Sequence, residues 1–251
     1  MIIYMAKIDK TALLKAPKEE RILFFGIAHL ANEIKAYEKL YLWSTQSLDE
    51  GEGWAESMLT MSLMLTKALA GKLYEGYQML ERDYLNTNLY STYNSNLSES
   101  SKSAIEKLRT YFQSDNLIES TRNQFSFHYS PKKMDRVLKN LTEDLKIYIE
   151  TNGSANNLYY FAELLANYAL LFEIDPNDWQ AAFRKLKENL GEIVQLFSIV
   201  CDVLMKQFIE LRIDDFWQDH AVEVQLEGVK SFTEIQLPWF TDTETLFKDA
   251  G

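Results

Sequence analysis

The chain has 251 residues, of which 47% are apolar and 25% charged, a composition typical of a globular protein with a sizeable core. Its net charge of −11 excludes a protein-wide positive field that attracts nucleic acid, so any contact with nucleic acid has to be local. The chain contains only four prolines and nine glycines, which favours long helices over a turn-rich β fold.

Compartment is predicted from the cysteine content and the apolar runs. The single cysteine, Cys201, cannot form an intrachain disulfide, and its apolar surroundings in the sequence predict a small buried side chain. No apolar run reaches the roughly 18 residues that a bilayer requires, and residues 1–4 are too short an apolar start for a signal peptide. We therefore expect a cytoplasmic protein without membrane association.

The first half of the chain shows helical periodicity. Residues 1–16 have a weak pattern, whereas apolar positions recur at helical spacing over 18–46 and over 55–85, which predicts two long helices. Residues 86–101 are rich in Asn, Ser, Thr and Tyr and are predicted to form a loop. Ser100 and Ser103 are candidate N-caps of a third helix that ends near residue 113, and a short helical piece follows from residue 115.

The second half predicts three further helices and a change of period at the end. Ser130 and Pro131 mark a helix start, which predicts a fourth helix to residue 151. A fifth helix is predicted over 158–172, and a sixth from the start signal at 175–178 to about residue 217. Apolar and polar residues alternate at 221–226 and again at 232–237, which predicts a β-hairpin. A lone hairpin is marginally stable, so this one has to pack against the helices or pair with another chain.

These elements predict an all-α fold, namely an up-and-down helical bundle of about five to six long helices with a small C-terminal β-hairpin. We expect one domain over residues 1–251, with a helical core at 18–217 and the hairpin as an appendage at 219–240.

The segment from Arg122 to Tyr129 carries most of the chemistry in the sequence. It reads Arg-Asn-Gln-Phe-Ser-Phe-His-Tyr in a chain with three histidines. Arginine offers five donors in a geometry that suits phosphate, and histidine exchanges protons near neutral pH. Within residues 121–140 five positive side chains stand against Asp135 alone; they are Arg122, Lys132, Lys133, Arg136 and Lys139. The predicted helix start at Pro131 adds free N–H groups that favour an anion.

We therefore predict a phosphate site at Arg122 and His128, with Lys132, Lys133 and Arg136 as phosphate- or RNA-binding residues. A structural interpretation of the same segment stays open. In that interpretation the aromatic residues are core anchors, His128 is a buried histidine, and the basic residues form a solvated face.

The segment resembles the motif of the HEPN superfamily (higher eukaryotes and prokaryotes nucleotide-binding). That motif is an Arg, a polar residue and, after four to six residues, a His; Arg122, Asn123 and His128 match it. The wider pattern Arg-Asn-x-Phe-x-Phe-His-Tyr, together with Ala70-Gly71-Lys72-Leu73-Tyr74-Glu75-Gly76, is similar to an uncharacterised bacterial subgroup of HEPN-like proteins. The family members are all-helical bundles, and many are dimeric, metal-independent endoribonucleases of toxin or antiviral systems.

The resemblance implies a role for each matching residue. Arg122 holds the scissile phosphate, His128 acts as general base or acid on a ribose 2′-hydroxyl, and Asn123 orients the phosphate or the histidine. Two motifs meet across the two-fold axis of a homodimer. Tyr129 and Glu75 are supporting residues, and Glu75 is either a buried partner of Arg122 or a rim carboxylate paired with Lys72.

The resemblance implies no cofactor and no metal ion. The sequence lacks the Glu-x-x-His pairs of di-iron bundles and the glycine-rich loops that bind nucleotides. A different class of function remains as the alternative, in which the chain is a non-catalytic helical interaction or scaffold protein with a protein partner.

Overall fold

The computed structural model describes residues 1–45, 54–126, 131–141, 160–213 and 221–235. Its helices are α1 (Lys10–Lys15), α2 (Lys18–Ser44), α3 (Trp54–Leu80), α4 (Asn88–Asn94), α5 (Glu99–Phe112), α6 (Leu117–Thr121), α7 (Pro131–Leu138), α8 (Tyr160–Ile174) and α9 (Trp179–Arg212). Two strands, β1 (Ile2–Ala6) and β2 (Ala221–Gln225), pair antiparallel. The described chain is thus mostly helical, and the predicted class is confirmed at this level.

Three short elements complete the described chain. A π-helical turn at Glu81–Leu85 extends α3, and a second at Arg122–Ser126 extends α6. A 3-10 turn lies at Phe232–Glu234. None of the helices in the described ranges combines the length and apolar character needed to cross a bilayer.

The residues group into two compact units. The first unit comprises Met1–Ala36, Lys72–Asn116 and Gly191–Ser231, and the second comprises Tyr37–Gly71, Leu117–Leu190 and Phe232–Gly251.

The first unit has an aromatic core. The ring of Phe24 stacks on Phe208 at 4.1 Å, and the ring of Tyr77 stacks on Phe112 at 4.4 Å. An ion pair adds to this core, because the half-buried Arg212 donates two hydrogen bonds to the buried carboxylate of Glu20. Aromatic stacking and a matched charge therefore hold α2, α3, α5 and α9 together within this unit.

The second unit has an aliphatic core. Its buried cluster comprises Leu63, Leu170, Leu171, Ala182 and Leu186, against which Leu59, Phe125, Ile174 and Phe183 pack. Helix α9 begins there because Asp178 accepts a hydrogen bond from the Ala181 N–H at 2.9 Å, as an N-cap does. The start predicted at 175–178 is confirmed.

The predicted loop at 86–101 is wrong in its middle, where α4 forms. Thr87 caps α4 by accepting from the Leu89 N–H at 3.2 Å, and Tyr93 is buried with its hydroxyl donating to Glu20 at 3.0 Å. The packing of Tyr93 thus outweighs the polar composition of the segment, which had indicated a loop. The cap of α5 is Ser98, which accepts from the Ser101 N–H, and not the predicted Ser100 or Ser103.

Two predicted helix ends are also wrong. The helix that starts at Pro131 ends at Leu138 instead of continuing to 151, and beyond its end the Asn140 side chain donates to the Arg136 carbonyl. Residues 142–151 of the predicted helix lie outside the described residues. Helix α9 ends at Arg212 and not near 217, and residues 214–220 are likewise not described.

The predicted C-terminal hairpin is wrong, although its first strand is correct. β2 pairs with β1 at the other end of the chain, with Ile2 opposite Gln225 and Ala6 opposite Ala221. Phe232 belongs to the 3-10 turn and its ring stacks on Trp43 at 5.5 Å, so this aromatic packs on a helix instead of alternating in a strand. Residues 236–240 of the predicted hairpin lie outside the described residues.

Candidate functional site

The candidate site begins where α6 passes into the second π turn. Ile118 and Thr121 of α6 are buried, which anchors this short helix. The π turn that follows leaves Arg122 half-buried and Asn123 exposed. A π turn inserts a residue into a helix and re-aims the side chains beside it, and such turns occur frequently at functional sites.

Arg122 is oriented by its sequence neighbour. Its Nη1 donates to Oδ1 of Asn123 at 2.9 Å. This bond uses one of the five donors of the guanidinium and limits its rotation. In the structure, therefore, the Asn123 side chain contacts Arg122.

The next two residues fix the π turn in place. Phe125 packs against the aliphatic cluster of the second unit, and Gln124 donates to the Ser120 hydroxyl at 3.0 Å. Lys133 of α7 donates to the side-chain oxygen of Gln124, and its ammonium lies 5.0 Å from the centre of the Phe125 ring. These contacts bring the start of α7 beside the turn that carries Arg122.

The predicted basic residues of α7 share one acidic partner. Nη2 of Arg136 lies 2.5 Å and Nζ of Lys133 lies 3.5 Å from Oε1 of Glu173 on α8. The guanidinium of Arg136 also lies 5.6 Å from the centre of the Phe172 ring. Lys132 is exposed. Residues 121–140 carry more positive than negative side chains, and the carboxylate of Glu173 reduces this excess of positive charge by one. The region therefore stays basic, but part of its positive charge is paired.

The other predicted site residues are distributed as follows. His128 and Tyr129 lie outside the described residues, so the geometry between Arg122 and His128 stays a prediction. Glu75 is exposed on α3 and belongs to the first unit, whereas Arg122 belongs to the second. Lys72, the alternative partner of Glu75, donates to Glu33 at 2.6 Å.

In the described ranges no group of three His, Cys, Asp or Glu side chains is arranged to hold a metal ion. His29 lies 3.7 Å from Glu33 one helical turn away, and its side chain is 76% exposed, as expected of a surface pair.

Sequence reasoning missed Glu173 and Asn167. Glu173 is the acidic residue at the end of an apolar helix, and only the packing of α7 on α8 reveals its partners. Asn167 is a single amide in the apolar run 164–172, and an isolated polar residue on the apolar face of a helix is the signal that identifies it.

Comparison with known proteins gives no match, whether to a family model, to a curated protein or to a solved structure.

Proposed function

We propose that the chain is a HEPN-like helical bundle protein that binds RNA or a nucleotide phosphate at Arg122 and cleaves RNA without a metal ion. The observation that carries the proposal is the half-buried Arg122, oriented by Asn123 on a π turn beside the basic start of α7. An oriented guanidinium in a locally basic region suits a phosphodiester. A bacterial defence or toxin–antitoxin system fits such an activity.

The chemistry assigned to the site is transesterification. His128 removes the proton of a ribose 2′-hydroxyl, and the 2′ oxygen attacks phosphorus. Arg122 stabilises the charge that develops on the phosphate oxygens. The bond from phosphorus to the 5′ oxygen breaks and that oxygen takes up a proton, which yields a 2′,3′-cyclic phosphate and a 5′-hydroxyl. Two copies of the site face each other across the axis of a homodimer.

The test compares wild type with Arg122→Ala, His128→Ala and the control His29→Ala on labelled RNA in EDTA. Wild type and His29→Ala are expected to release 5′-hydroxyl ends that a polynucleotide kinase labels, whereas the other two variants are inactive. His29 is a suitable control because it is a histidine with an exposed side chain that is not part of the Arg122–Tyr129 segment. Cleavage that persists in His128→Ala, or is absent from wild type, contradicts the nuclease proposal.

A second candidate function is a non-catalytic interaction protein. This candidate is favoured because Lys133 and Arg136 both contact the carboxylate of Glu173. Ion pairs of this kind are common on protein surfaces that have no ligand. In that case neither wild type nor Arg122→Ala binds RNA, even at low salt. Fluorescence anisotropy with a labelled single-stranded RNA separates the two candidates.

A further inference from the structure

The hydrogen-bond ladder between β1 and β2 defines which backbone groups of β1 are used within the chain. The Met1 nitrogen donates to the Leu226 carbonyl at 3.0 Å, and the Leu226 N–H donates to the Met1 carbonyl at 2.8 Å. In an antiparallel ladder, pairs that exchange both bonds alternate with pairs that exchange none. In β1 the residues that bond to β2 are therefore Ile3 and Met5.

The other edge of β1 carries three residues whose backbone points outward. The N–H and C=O groups of Ile2, Tyr4 and Ala6 lie on the side of β1 away from β2, where no other described strand pairs with them. The side chains of Ile2 and Tyr4 are 56% and 74% exposed, so solvent reaches this part of the strand. A two-stranded ribbon is marginally stable by itself, and a further strand on the open edge stabilises it.

Charge distinguishes the open edge of β1 from that of β2. β1 reads Ile-Ile-Tyr-Met-Ala and has none of the lysines or prolines that commonly protect an edge strand. β2 has Glu223 at its centre, so two β2 edges paired about that residue would place like charges opposite each other. The edge that suits pairing with a copy of itself is therefore that of β1.

We propose that the β1 edge binds the β1 edge of a second copy of this chain, antiparallel and centred on Tyr4, to form a four-stranded sheet. In this register Tyr4 lies opposite Tyr4 of the second copy, and Ile2 lies opposite Ala6. The members of each pair have outward N–H and C=O groups, so every pair exchanges two hydrogen bonds. This is the register that pairs all three outward residues of both copies, and it does not depend on Arg122 or on RNA.

The pairing also joins two apolar faces that are only partly covered. By strand alternation one face of the ribbon carries Met1, Ile3, Met5, Val222, Val224 and Leu226. Met5 and Val222 are nevertheless 54% and 50% exposed. The proposed register sets Met5 beside Ile3 of the second copy on this face, which covers part of that surface. Because the paired strands are short, the interface is small and the dissociation constant is on the order of 10 µM.

Proline substitution tests which edge is used. Sedimentation velocity of the full chain from about 5 to about 200 µM should show wild type shifting from monomer towards dimer. Tyr4→Pro removes an N–H that the β1–β2 ladder does not use, and should weaken the dimer at least about tenfold because two symmetry-related hydrogen bonds are lost. Glu223→Pro is the matched control, since Glu223 lies opposite Tyr4 and its N–H points out of the other edge. Its dimer is expected to match that of wild type.

Cysteine cross-linking tests the register without a proline. Tyr4→Cys sets two thiols opposite each other with Cα atoms about 5.5 Å apart, which a disulfide can span. Ile2→Cys is the control, because its thiol lies four residues, or about 13 Å, from that of the second copy. Under mild oxidation Tyr4→Cys should give a cross-linked dimer and Ile2→Cys should not; the native Cys201 is buried.

Three results overturn the proposal: a wild type that stays monomeric to about 200 µM, a dimer as tight in Tyr4→Pro as in wild type, or equal cross-linking of the two cysteine variants. The cross-linking comparison decides it even when a proline variant does not fold.

Discussion

Glu20 is a carboxylate that α2 buries in the first unit, where it is 4% exposed. Arg212 donates to its two oxygens at 2.7 and 2.6 Å, and Tyr93 donates at 3.0 Å. The hydrogen bonds from Arg212 lower the pKa of Glu20, which desolvation opposes and Tyr93 and the Arg212 charge reinforce. A lowered carboxylate pKa means that the native state favours the ionised form, so this pair links stability to pH.

We expect Arg212→Met to lower the free energy of unfolding by roughly 1–3 kcal/mol at pH 7, because it leaves the Glu20 carboxylate buried without its cation. Since the folded pKa lies below the ordinary value of 4.5, this contribution is complete above pH 4.5 and is lost as pH falls through the folded pKa. Urea unfolding at pH 7, 5 and 3.5 measures it.

Lys206→Met is the control for Arg212→Met, because Lys206 lies on the same helix in an exposed pair with Glu210 at 3.6 Å. Exposed pairs of this kind contribute little, so its urea midpoint should match wild type. An Arg212→Met variant as stable as wild type at pH 7 would contradict the role given to the pair of Arg212 with Glu20.

Cys201 is a single thiol that packing makes inert. It is 1% exposed in α9, and burial together with the nearby Asp202 raises the pKa of the thiol to about 12. The thiolate is the reactive form, so a native chain at pH 8 should not react with a thiol-specific disulfide reagent within minutes. One thiol per chain should react after unfolding in guanidinium. Rapid reaction of the native chain would show that α9 opens locally.

At the scale of elements, Gly76 sets how closely α3 approaches α2. A Cβ at this position would lie 2.6 and 2.8 Å from the methyl carbons of Leu30, which is itself buried. Gly76→Ala gains about 1 kcal/mol of helix propensity but forces Leu30 out of its packing, which costs roughly 1–3 kcal/mol or more. We therefore expect a net loss of stability, measured as a lower urea midpoint.

Gly191→Ala is the matched control for this packing argument, because a Cβ at Gly191 of α9 meets nothing within 4 Å. The same substitution there should raise stability by roughly 0.5–1 kcal/mol. In a Leu30→Ala background the clashing methyl groups are gone, so adding Gly76→Ala should no longer lower stability, although Leu30→Ala is itself destabilising. Equal effects of the two glycine substitutions would contradict a steric role for Gly76.

The elements that the sequence predicts well depend on local signals. Helical spacing identifies α2, α3 and α9 because apolar residues three and four apart share a face within one element. The strand β1 and its pairing were missed because Ile2 and Gln225 are far apart in sequence, and no local pattern specifies a distant partner. The same holds for the candidate site. The contact of Arg122 with Asn123 joins neighbours in sequence and can be predicted, whereas the contact of Glu173 with α7 depends on tertiary packing.

At the scale of the whole molecule, charge limits how the proposed RNA binding can work. The chain carries −11 overall, so long-range attraction opposes nucleic acid, and binding depends on a few cations near Arg122. With about three phosphates neutralised at about −0.7 each, the slope of log affinity against log salt should be near −2 for single-stranded RNA. Affinities measured from 20 to 200 mM KCl test this value, and a slope steeper than about −5 would require a broad basic surface.

Glu173 allows the local charge to be separated from the net charge. Glu173→Gln removes the carboxylate that Lys133 and Arg136 share, so two cations become available to RNA; we expect tighter binding and a steeper salt slope. Glu188→Gln changes the net charge by the same amount at an exposed position on α9 and should have a much smaller effect. If the two variants bind RNA equally, overall charge governs the interaction and the basic face of α7 is not part of the site. If Glu173→Gln lowers the urea midpoint and leaves RNA affinity unchanged, the carboxylate is structural and the scaffold function is favoured.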